Sequence, residues 1–200
     1  MSESLKVDCL VIGTELSSLD KLDHWREIMK ELKRIYSGKL SYSANFDSEA
    51  TSFWDLLDSV EIDAYSPMLN SSSWMTLHES RVFPLILLYG KPVVFTEIGY
   101  RSGKEARLEP WNWKAKMERD EEEQSLLWRA FLDQEAGRIR GLFYWVETPW
   151  GDDGTDYSVL GKGVERTIGE RLRVDLMVFE VRSGVDVEIV RRVFSGAVIS

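Results

Sequence analysis

Two glutamates stand at the ends of short apolar runs, and their carboxylates are the groups in this sequence best suited to do chemistry. Glu15 follows residues 11–14 and Glu97 follows residues 93–96, and both runs are rich in β-branched side chains. Runs of this length, bounded by loop residues, are typical of strands buried on both faces. If two such strands end at the same rim of a sheet, their carboxylates face one another. Cleavage of a glycosidic bond uses such a pair, with one carboxyl as acid/base and the other as nucleophile.

The composition indicates a globular chain with a single core. Its 200 residues are 44% hydrophobic and 30% charged, which suits one domain and is too apolar for a disordered chain. The net charge of −9 argues against nucleic acid and anionic membranes as partners. The 8 tryptophans could provide stacking platforms for sugars, but tryptophan also fills ordinary cores, so composition alone does not decide their role.

The sequence offers no metal site and no nucleotide-binding motif, so we expect neither a metal nor a cofactor. Cys9 is the single cysteine, which excludes an internal disulfide and a cysteine-based zinc site, and we expect it to pack in the core. His24 and His78 fall on separate predicted helices and are expected at the surface or in packing. No GxGxxG sequence and no P-loop follows a predicted strand.

The chain carries no segment with the pattern of a targeting or membrane-spanning sequence. Residues 1–8 hold no apolar stretch of signal-peptide length, and no run approaches the roughly 20 apolar residues of a membrane span. We therefore expect a soluble chain without a membrane partner. Its location is not specified by the sequence, and the cytoplasm is the default expectation.

The elements that must position the two glutamates are predicted as strands and helices in alternation. The predicted strands are residues 8–14, 40–45, 59–65, 93–97 and 141–146. The predicted helices are residues 22–36, 76–89 with a break or kink at Pro84, 119–136 and 164–172. Such alternation implies parallel βα units. A repeat of roughly 31 residues matches a (β/α)₈ barrel of about 250 residues, whose active sites form where the strands end.

Two of the predicted helices have an apolar face that should be buried. In the first helix, the residues that recur at helical spacing are Leu22, Trp25, Ile28, Met29, Leu32, Ile35 and Tyr36. In the helix over 119–136, the residues expected to be buried are Leu126, Leu127, Ala130 and Phe131. The acidic run over 118–123 is expected to form the first turn of that helix, where acids complement the helix dipole.

Five short motifs, in order, resemble one known family. They are Gly13-Thr14-Glu15-Leu16, Ser41-Tyr42-Ser43-Ala44-Asn45, Ile62-Asp63-Ala64-Tyr65, Phe95-Thr96-Glu97-Ile98-Gly99-Tyr100 and Phe143-Tyr144-Trp145. Together they resemble glycoside hydrolase family 113, retaining β-mannanase-like enzymes of the large clan of (β/α)₈ glycosidases. The resemblance extends over roughly residues 8–160.

The resemblance implies a role for five residues. Glu15 matches the acid/base that ends the fourth barrel strand, and Glu97 matches the nucleophile that ends the seventh. Tyr65, on the sixth strand, is expected to hydrogen-bond the nucleophile. Trp145, on the eighth, is expected to form the floor of the sugar subsite, and Asn45 is expected to line the cleft. The resemblance thus implies a retaining hydrolase of β-mannan-type polysaccharide or oligosaccharide.

The same mapping implies a partial barrel. If residues 9–15 match the fourth strand, residues 1–172 correspond to strands 4–8, and the first three βα units have no counterpart. Residues 173–200 do not resemble the family, and two predicted strands in them suggest an added β-hairpin. A barrel opened in this way has two free sheet edges. We therefore expect self-association or pairing with the missing N-terminal half-barrel.

Other interpretations of these residues stay open at this point. Glu15 could be an N-cap or first-turn carboxylate of the helix that follows it. Asp63 is better explained as a buried structural hydrogen bonder than as a catalytic group. Trp111 and Trp113 could form a sugar platform on a loop or could clamp that loop. For the whole chain, the alternative to a hydrolase is a non-catalytic barrel-like binding or structural module, or an inactive truncated fragment.

Overall fold

Five parallel strands form one sheet in chain order. The computed structural model describes residues 7–19, 24–48, 51–146 and 155–172. The strands are β1 (Cys9–Thr14), β2 (Lys39–Asn45), β3 (Val60–Asp63), β4 (Val93–Ile98) and β5 (Gly141–Tyr144). All four adjacent pairs are parallel. The five predicted strands are therefore confirmed, with shifts of one or two residues at their ends, whereas the suggested hairpin over 173–200 lies outside the described residues.

Helical segments separate the strands, as parallel βα units require. The helices are α1 (His24–Ile35), α2 (Ser73–Leu77), α3 (Phe83–Tyr89), α4 (Glu121–Gln134) and α5 (Gly163–Leu172). Two short 3₁₀ turns, Trp54–Leu56 and Ala136–Arg138, precede β3 and β5. None of the helices in the described part of the chain is long and apolar enough to cross a lipid bilayer.

The helix predicted over 76–89 is irregular just before Pro84, where a break or kink was predicted. A π-helical turn, His78–Val82, separates α2 from α3, and Pro84 lies in the first turn of α3. Proline lacks the backbone N–H that would continue the α-helical bonding pattern, so it is tolerated in a first turn and disrupts the turn before it.

The start of α4 follows the sequence prediction, and so do the buried Leu127 and Phe131, but one residue of the predicted face does not. Asp120 caps the helix by accepting a hydrogen bond from the backbone N–H of Glu123 (2.8 Å), and three glutamates occupy the first turn. The expectation that Leu126 is buried is wrong, because its side chain is 54% exposed. The face that packs on the sheet consists of Gln124, Leu127, Trp128 and Phe131, which recur at helical spacing about one residue out of phase with Leu126.

The apolar face of α1 is also narrower than its sequence pattern. Trp25 and Met29 are buried, and Leu32 packs against the core. Ile28 and Ile35 are exposed instead. A helix that covers a sheet on one side needs only one narrow stripe, and the outer members of a wide stripe then face solvent.

The two faces of the sheet differ in chemistry. On the face covered by helices, β2 contributes Leu40, Tyr42 and Ala44 to the core. On the opposite face, Ser41 and Ser43 alternate with them and are also buried. Asp63 joins this polar face from β3. On β2 and β3, the inner face of the sheet is therefore lined by hydroxyl and carboxyl groups rather than by aliphatic side chains.

The inner face is open at the outer strands. The expectation that Cys9 packs in the core is wrong, because its side chain is exposed at the start of β1. Val11, on the same face, is 47% exposed, and Phe143 on β5 is 64% exposed. Alternation along a strand points these three side chains away from the helices, toward the side that the described residues leave uncovered.

Candidate active site

A cavity of about 440 Å³ lies where the strands end. It is lined by Glu15, Asn45, Phe46, Asp47, Tyr65, Glu97, Trp111, Trp113, Trp145 and Tyr157. Its volume falls in the range of about 300–1,000 Å³ that is common for small-ligand sites. All five residues singled out in the sequence therefore meet in one cavity, because parallel strands deliver their carboxyl ends to the same rim.

Glu97 is held by a phenol. Tyr65, two residues beyond the end of β3, donates its O–H to Glu97 Oε2 at 2.9 Å. Burial raises the pKa of the Glu97 carboxyl, and the charges of Asp63 and Glu15 raise it further, while the Tyr65 hydrogen bond lowers it. Burial and the neighbouring Glu97 keep the pKa of Tyr65 well above its usual value, so the phenol stays a donor. The contact expected between Tyr65 and Glu97 is thus present.

Glu15 occupies an unusual backbone position. It follows the last residue of β1 and has a φ of 51°, in the left-handed backbone region that residues other than glycine rarely adopt. Its backbone N–H donates to Ser43 O at 2.8 Å, which fixes it beside β2. Such a conformation costs about 1–3 kcal/mol and is concentrated at functional sites. Burial, followed by the charges of Asp63 and Asp47, raises the pKa of the Glu15 carboxyl.

Asp63 links the three central strands beneath the two glutamates. It is fully buried, and its Oδ1 accepts hydrogen bonds from Ser43 Oγ at 2.6 Å and Thr96 Oγ1 at 2.8 Å. Burial raises the pKa of the Asp63 carboxyl, and the two hydroxyl groups oppose that shift. The interpretation of Asp63 as a buried structural hydrogen bonder is confirmed, and its charge also acts on Glu15 and Glu97.

Irregular strand pairing sets the direction in which these carboxyls point. The register between β1 and β2 shifts after Val11, and the register between β3 and β4 shifts between Ile62 and Asp63. As a result, Asp63 is paired directly with Glu97. An extra residue in a strand rotates the side chains that follow it, and such bulges are common beside active sites.

The remaining predicted residues form the walls of the cavity. Asn45 ends β2, and its buried Oδ1 has no hydrogen-bond partner among the described residues. Trp145 follows β5, is partly exposed, and its backbone N–H donates to Ile98 O at 2.8 Å. Both residues line the cavity, where a polar acceptor and an aromatic ring suit a ligand that has polar groups and an apolar face.

Five lining residues were not assigned to the site from the sequence. Phe46 and Asp47 directly follow β2, so their position after a strand end could have indicated them. Tyr157 belongs to a distant segment and had no sequence signal. Trp111 and Trp113 were left open between a sugar platform and a loop clamp, and both line the cavity.

The cavity holds the carboxyls of Glu15 and Glu97, which differ in their hydrogen bonding. Within the described ranges, no group of three or more His, Cys, Asp or Glu side chains is arranged to hold a metal ion. Two carboxyls with unlike hydrogen bonding can differ in pKa, which is the condition for one to act as an acid while the other is ionised.

Comparison of the sequence with profiles of protein families identifies the family of this chain. The profile of Glycoside Hydrolase Family 113 matches residues 1–152. The chain belongs to glycoside hydrolase family 113. The resemblance seen in the five motifs is thereby confirmed, and the match covers every strand of the sheet. No match was found among curated protein sequences.

Solved structures of family 113 enzymes have the same fold. A complex of a GH113 β-1,4-mannanase superposes with a TM-score of 0.76 at 26% identity, covering 85% of this chain and 57% of that one. The GH113 β-mannanase AaManA from Alicyclobacillus acidocaldarius, in complex with ManMIm, gives a TM-score of 0.73 at 21% identity, with 84% and 56% covered. A Lactobacillus rhamnosus β-glucuronidase shares the fold at 18% identity and a TM-score of 0.55, with 84% and 32% covered.

The chain spans little more than half the length of these mannanases. Its five-stranded parallel sheet is part of a (β/α)₈ barrel, as the mapping of the motifs predicted. The open inner face at β1 and β5 lies at the two edges where such a barrel would continue.

Proposed function

We propose that this chain is a retaining glycoside hydrolase, or the catalytic portion of one, acting on β-mannan-type polysaccharide or oligosaccharide. The observation that carries the proposal is the hydrogen bond from Tyr65 to Glu97 inside the cavity that Glu15 also lines. Membership of family 113 and the likeness to solved β-mannanases support the choice of substrate.

In this mechanism Glu97 is the nucleophile. Its carboxylate attacks the anomeric carbon of the sugar and forms a covalent glycosyl ester as the bond to the leaving oxygen breaks. The Tyr65 hydrogen bond favours the ionised form that the attack requires. Asn45 and Trp145 would bind the sugar at this centre, one through its free acceptor and the other by stacking.

Glu15 is the acid/base in the same scheme. It gives its proton to the leaving oxygen in the first step, then takes a proton from the water that attacks the ester and releases Glu97. Burial and two neighbouring carboxylates raise the pKa of Glu15, which favours the protonated form needed at the start. Among the described residues, no donor reaches its carboxylate as Tyr65 reaches that of Glu97.

Hydrolysis of mannopentaose by the purified chain tests the proposal. We expect Glu97→Ala to abolish product release and Glu15→Gln to slow it strongly, while Glu118→Gln, at an exposed glutamate outside the cavity, leaves the rate unchanged. A 2-deoxy-2-fluoro mannoside should label Glu97 as a glycosyl ester, detected by mass spectrometry of the peptide. Unchanged hydrolysis in Glu97→Ala would exclude the assignment.

The alternative function is a non-catalytic barrel-like module that binds sugar without cleaving it. The partial coverage of the matched mannanases favours this reading, since a cleft that lacks one wall positions its substrate poorly. Binding of mannopentaose without release of products by the unsubstituted chain would support the module and exclude the hydrolase.

We also propose that the open inner face pairs with the βα units equivalent to the first three of the barrel, whether joined to this chain or separate. The half-exposed Val11 and Phe143 on the two outer strands support this partner, as does the matched share of the mannanases. Unpaired strand edges bind further strands readily.

Light scattering with and without such a complement tests the pairing. We expect a separately produced N-terminal part of a family 113 mannanase to form a 1:1 complex with this chain and to increase hydrolysis. A dimer of this chain whose mass does not change when the complement is added would show self-association instead. A stable monomer that unfolds cooperatively and gains nothing from the complement would contradict both forms of pairing.

A further inference from the structure

We propose that a second cavity, at the opposite end of the sheet from the candidate active site, binds a phosphate-type dianion through Arg138 and Arg140. This cavity has a volume of about 280 Å³ and lies where β4 and β5 begin. Lys91, just before β4, and both arginines, just before β5, line it. The proposal does not depend on the proposed function, because the candidate catalytic glutamates lie at the other end of the strands.

The backbone directs both guanidinium groups to the same side. Ile139, which lies between the two arginines, is extended, with φ of −109° and ψ of 162°, and its side chain is buried. In an extended segment the residues on either side of an inward side chain point outward. Arg138 and Arg140 are accordingly exposed, and both line the cavity.

The two guanidinium groups have no protein partner in the described part of the chain. Neither of them forms an ion pair or a side-chain hydrogen bond there, although acidic residues outnumber basic ones in the whole sequence. The charge of Arg138 reaches the carboxyl of Glu135. That carboxyl is fully buried, however, and contacts Nδ1 of His78 at 2.9 Å instead. Both arginines are therefore available to a ligand.

Lys91 adds a third positive charge to the lining. Its ammonium donates to the carbonyl oxygens of Trp54 at 2.7 Å and Asp55 at 2.8 Å, which hold it in place but carry no formal charge. The carboxylate of Asp55 is itself paired with Arg26 through hydrogen bonds of 2.8 and 2.7 Å. The described residues that line this cavity thus include three cations and no carboxylate.

The chemistry of the lining selects the class of ligand. A guanidinium group presents parallel N–H donors that match the oxygens of a phosphate, and two such groups suit a doubly charged anion. The small volume admits a phosphate group with at most a short substituent. Inorganic phosphate and the phosphate of a small ester share this chemistry.

The segment that carries the arginines is held in position without a ligand. The backbone N–H of Arg140 donates to Val93 O at 2.7 Å, and that of Arg138 donates to Glu135 O at 2.8 Å. A site fixed in this way loses little conformational freedom on binding, so more of the contact free energy appears as affinity.

Nuclear magnetic resonance titration of the ¹⁵N-labelled full chain tests the site. Inorganic phosphate and glycerol 3-phosphate are added separately, with the ionic strength held constant by sodium chloride because screening weakens exposed charges. We expect saturable shifts of the amide signals of residues 91–93 and 137–141. Tighter binding of glycerol 3-phosphate would identify a phosphate ester as the ligand, whereas equal or weaker binding would identify free phosphate.

Arginine variants separate this site from the general surface. We expect Arg138→Gln and Arg140→Gln each to weaken phosphate binding about tenfold, since each removes a charged donor. Arg166→Gln removes a guanidinium on α5 that is 80% exposed and outside the cavity, and it should leave the affinity unchanged.

Gly137 offers a matched pair of variants that leave both arginines in place. It lines the cavity, and no described atom lies within 4 Å of the position that its Cβ would take. We expect Gly137→Asp, whose carboxylate competes with the anion, to weaken phosphate binding about tenfold, and the neutral Gly137→Asn to weaken it much less. This pair gives the answer if an arginine variant does not fold, which circular dichroism reports.

Shifts that grow linearly with phosphate without saturating would overturn the site. Equal losses in Arg140→Gln and Arg166→Gln, or equal losses in Gly137→Asp and Gly137→Asn, would also overturn it. Failure of the proposed function is a separate result, because it is seen as absent hydrolysis of mannopentaose and leaves phosphate binding unaffected.

Discussion

The three central strands and the two outer strands of the sheet differ in how far their side chains are buried. In β2 and β3 nearly every side chain is buried, whereas Val11 on β1 is 47% exposed and Phe143 on β5 is 64% exposed. The residues of the candidate site also divide into those of the central strands and those of the outer strands. Glu97, Tyr65 and Asp63 belong to the buried centre, where hydrogen bonds fix them, but Glu15 and Trp145 follow the outer strands.

The two carboxyls of the proposed mechanism are therefore held in place to different degrees. The proposed nucleophile, Glu97, accepts a hydrogen bond from Tyr65. The proposed acid/base, Glu15, directly follows an edge strand and has a strained backbone. A chain of this kind can present a well-formed nucleophile and still be a slow enzyme, since catalysis needs both carboxyls in position.

The largest expected effect concerns the central half of the site. Tyr65→Phe removes the donor to Glu97 without changing the shape of the ring, and a hydrogen bond to a charged acceptor contributes about 1.5–3 kcal/mol. We expect kcat/KM for mannopentaose to fall roughly 10- to 100-fold. Because the lost bond lowers the pKa of Glu97, its removal raises that pKa, and the acidic limb of the pH–rate profile should move to higher pH.

Tyr157→Phe is the matched control for that experiment. It removes a second buried phenol of the same cavity, whose hydrogen bond goes to Pro110 O rather than to a glutamate. Its acidic limb should stay in place even if affinity changes. A shift of equal size in both variants would mean that Tyr65 does not act through Glu97.

A pair of valine truncations measures the comparison of strands directly. Val60 on β3 is fully buried and Val11 on β1 is 47% exposed, so the same change of valine to alanine removes very different contacts. We expect Val60→Ala to lower the free energy of unfolding by about 2 kcal/mol and Val11→Ala by less than about 0.5 kcal/mol. Urea denaturation followed by circular dichroism gives both values. Equal losses would show that the edge strand is covered in solution.

The backbone of Glu15 predicts a smaller difference between two variants. Glu15→Gly and Glu15→Ala both remove the carboxylate, but only glycine adopts the left-handed conformation without strain. We expect the glycine variant to be more stable by about 1 kcal/mol, measured by urea denaturation, although both should lose hydrolysis. If the alanine variant were the more stable one, the left-handed position would not be a source of strain.

The smallest expected effect is on the pH dependence of stability. Burial raises the pKa of Glu61 on β3 above its unfolded value, so the native state holds this proton more tightly than the unfolded state does. Its contribution is therefore complete below about pH 4, the unfolded range, and is lost as pH rises through the raised native value. We expect the free energy of unfolding to decrease over that interval and to decrease less in Glu61→Gln.

Urea titrations at several pH values check this expectation. Glu118→Gln serves as the control, because that side chain is exposed and should leave the slope unchanged. An identical slope in Glu61→Gln and the unsubstituted chain would show that the buried carboxyl on the central strand does not contribute.

Much of the site could be predicted because a strand end is a local feature. The β-branched runs before Glu15 and Glu97 located both carboxylates, and Pro84 located the break between two helices, since each acts through its own backbone. The burial of Cys9 and Leu126 was predicted wrongly. Whether an apolar side chain is buried depends on which residues pack against it. Neither the open edge of β1 nor the rotation of α4 on the sheet can be predicted from the residues next to Cys9 and Leu126 in the sequence.

The sequence by itself determined the alternation of strands and helices and the order in which polar groups reach the rim. Only the tertiary structure decided that the phenol of Tyr65 bonds Glu97, that Asp63 is paired beside Glu97, and that Trp111 stacks on Phe46. Periodicity fixes the face on which a side chain lies. Which groups meet on that face depends on strand register and loop packing, and these are settled by contacts between residues far apart in the chain.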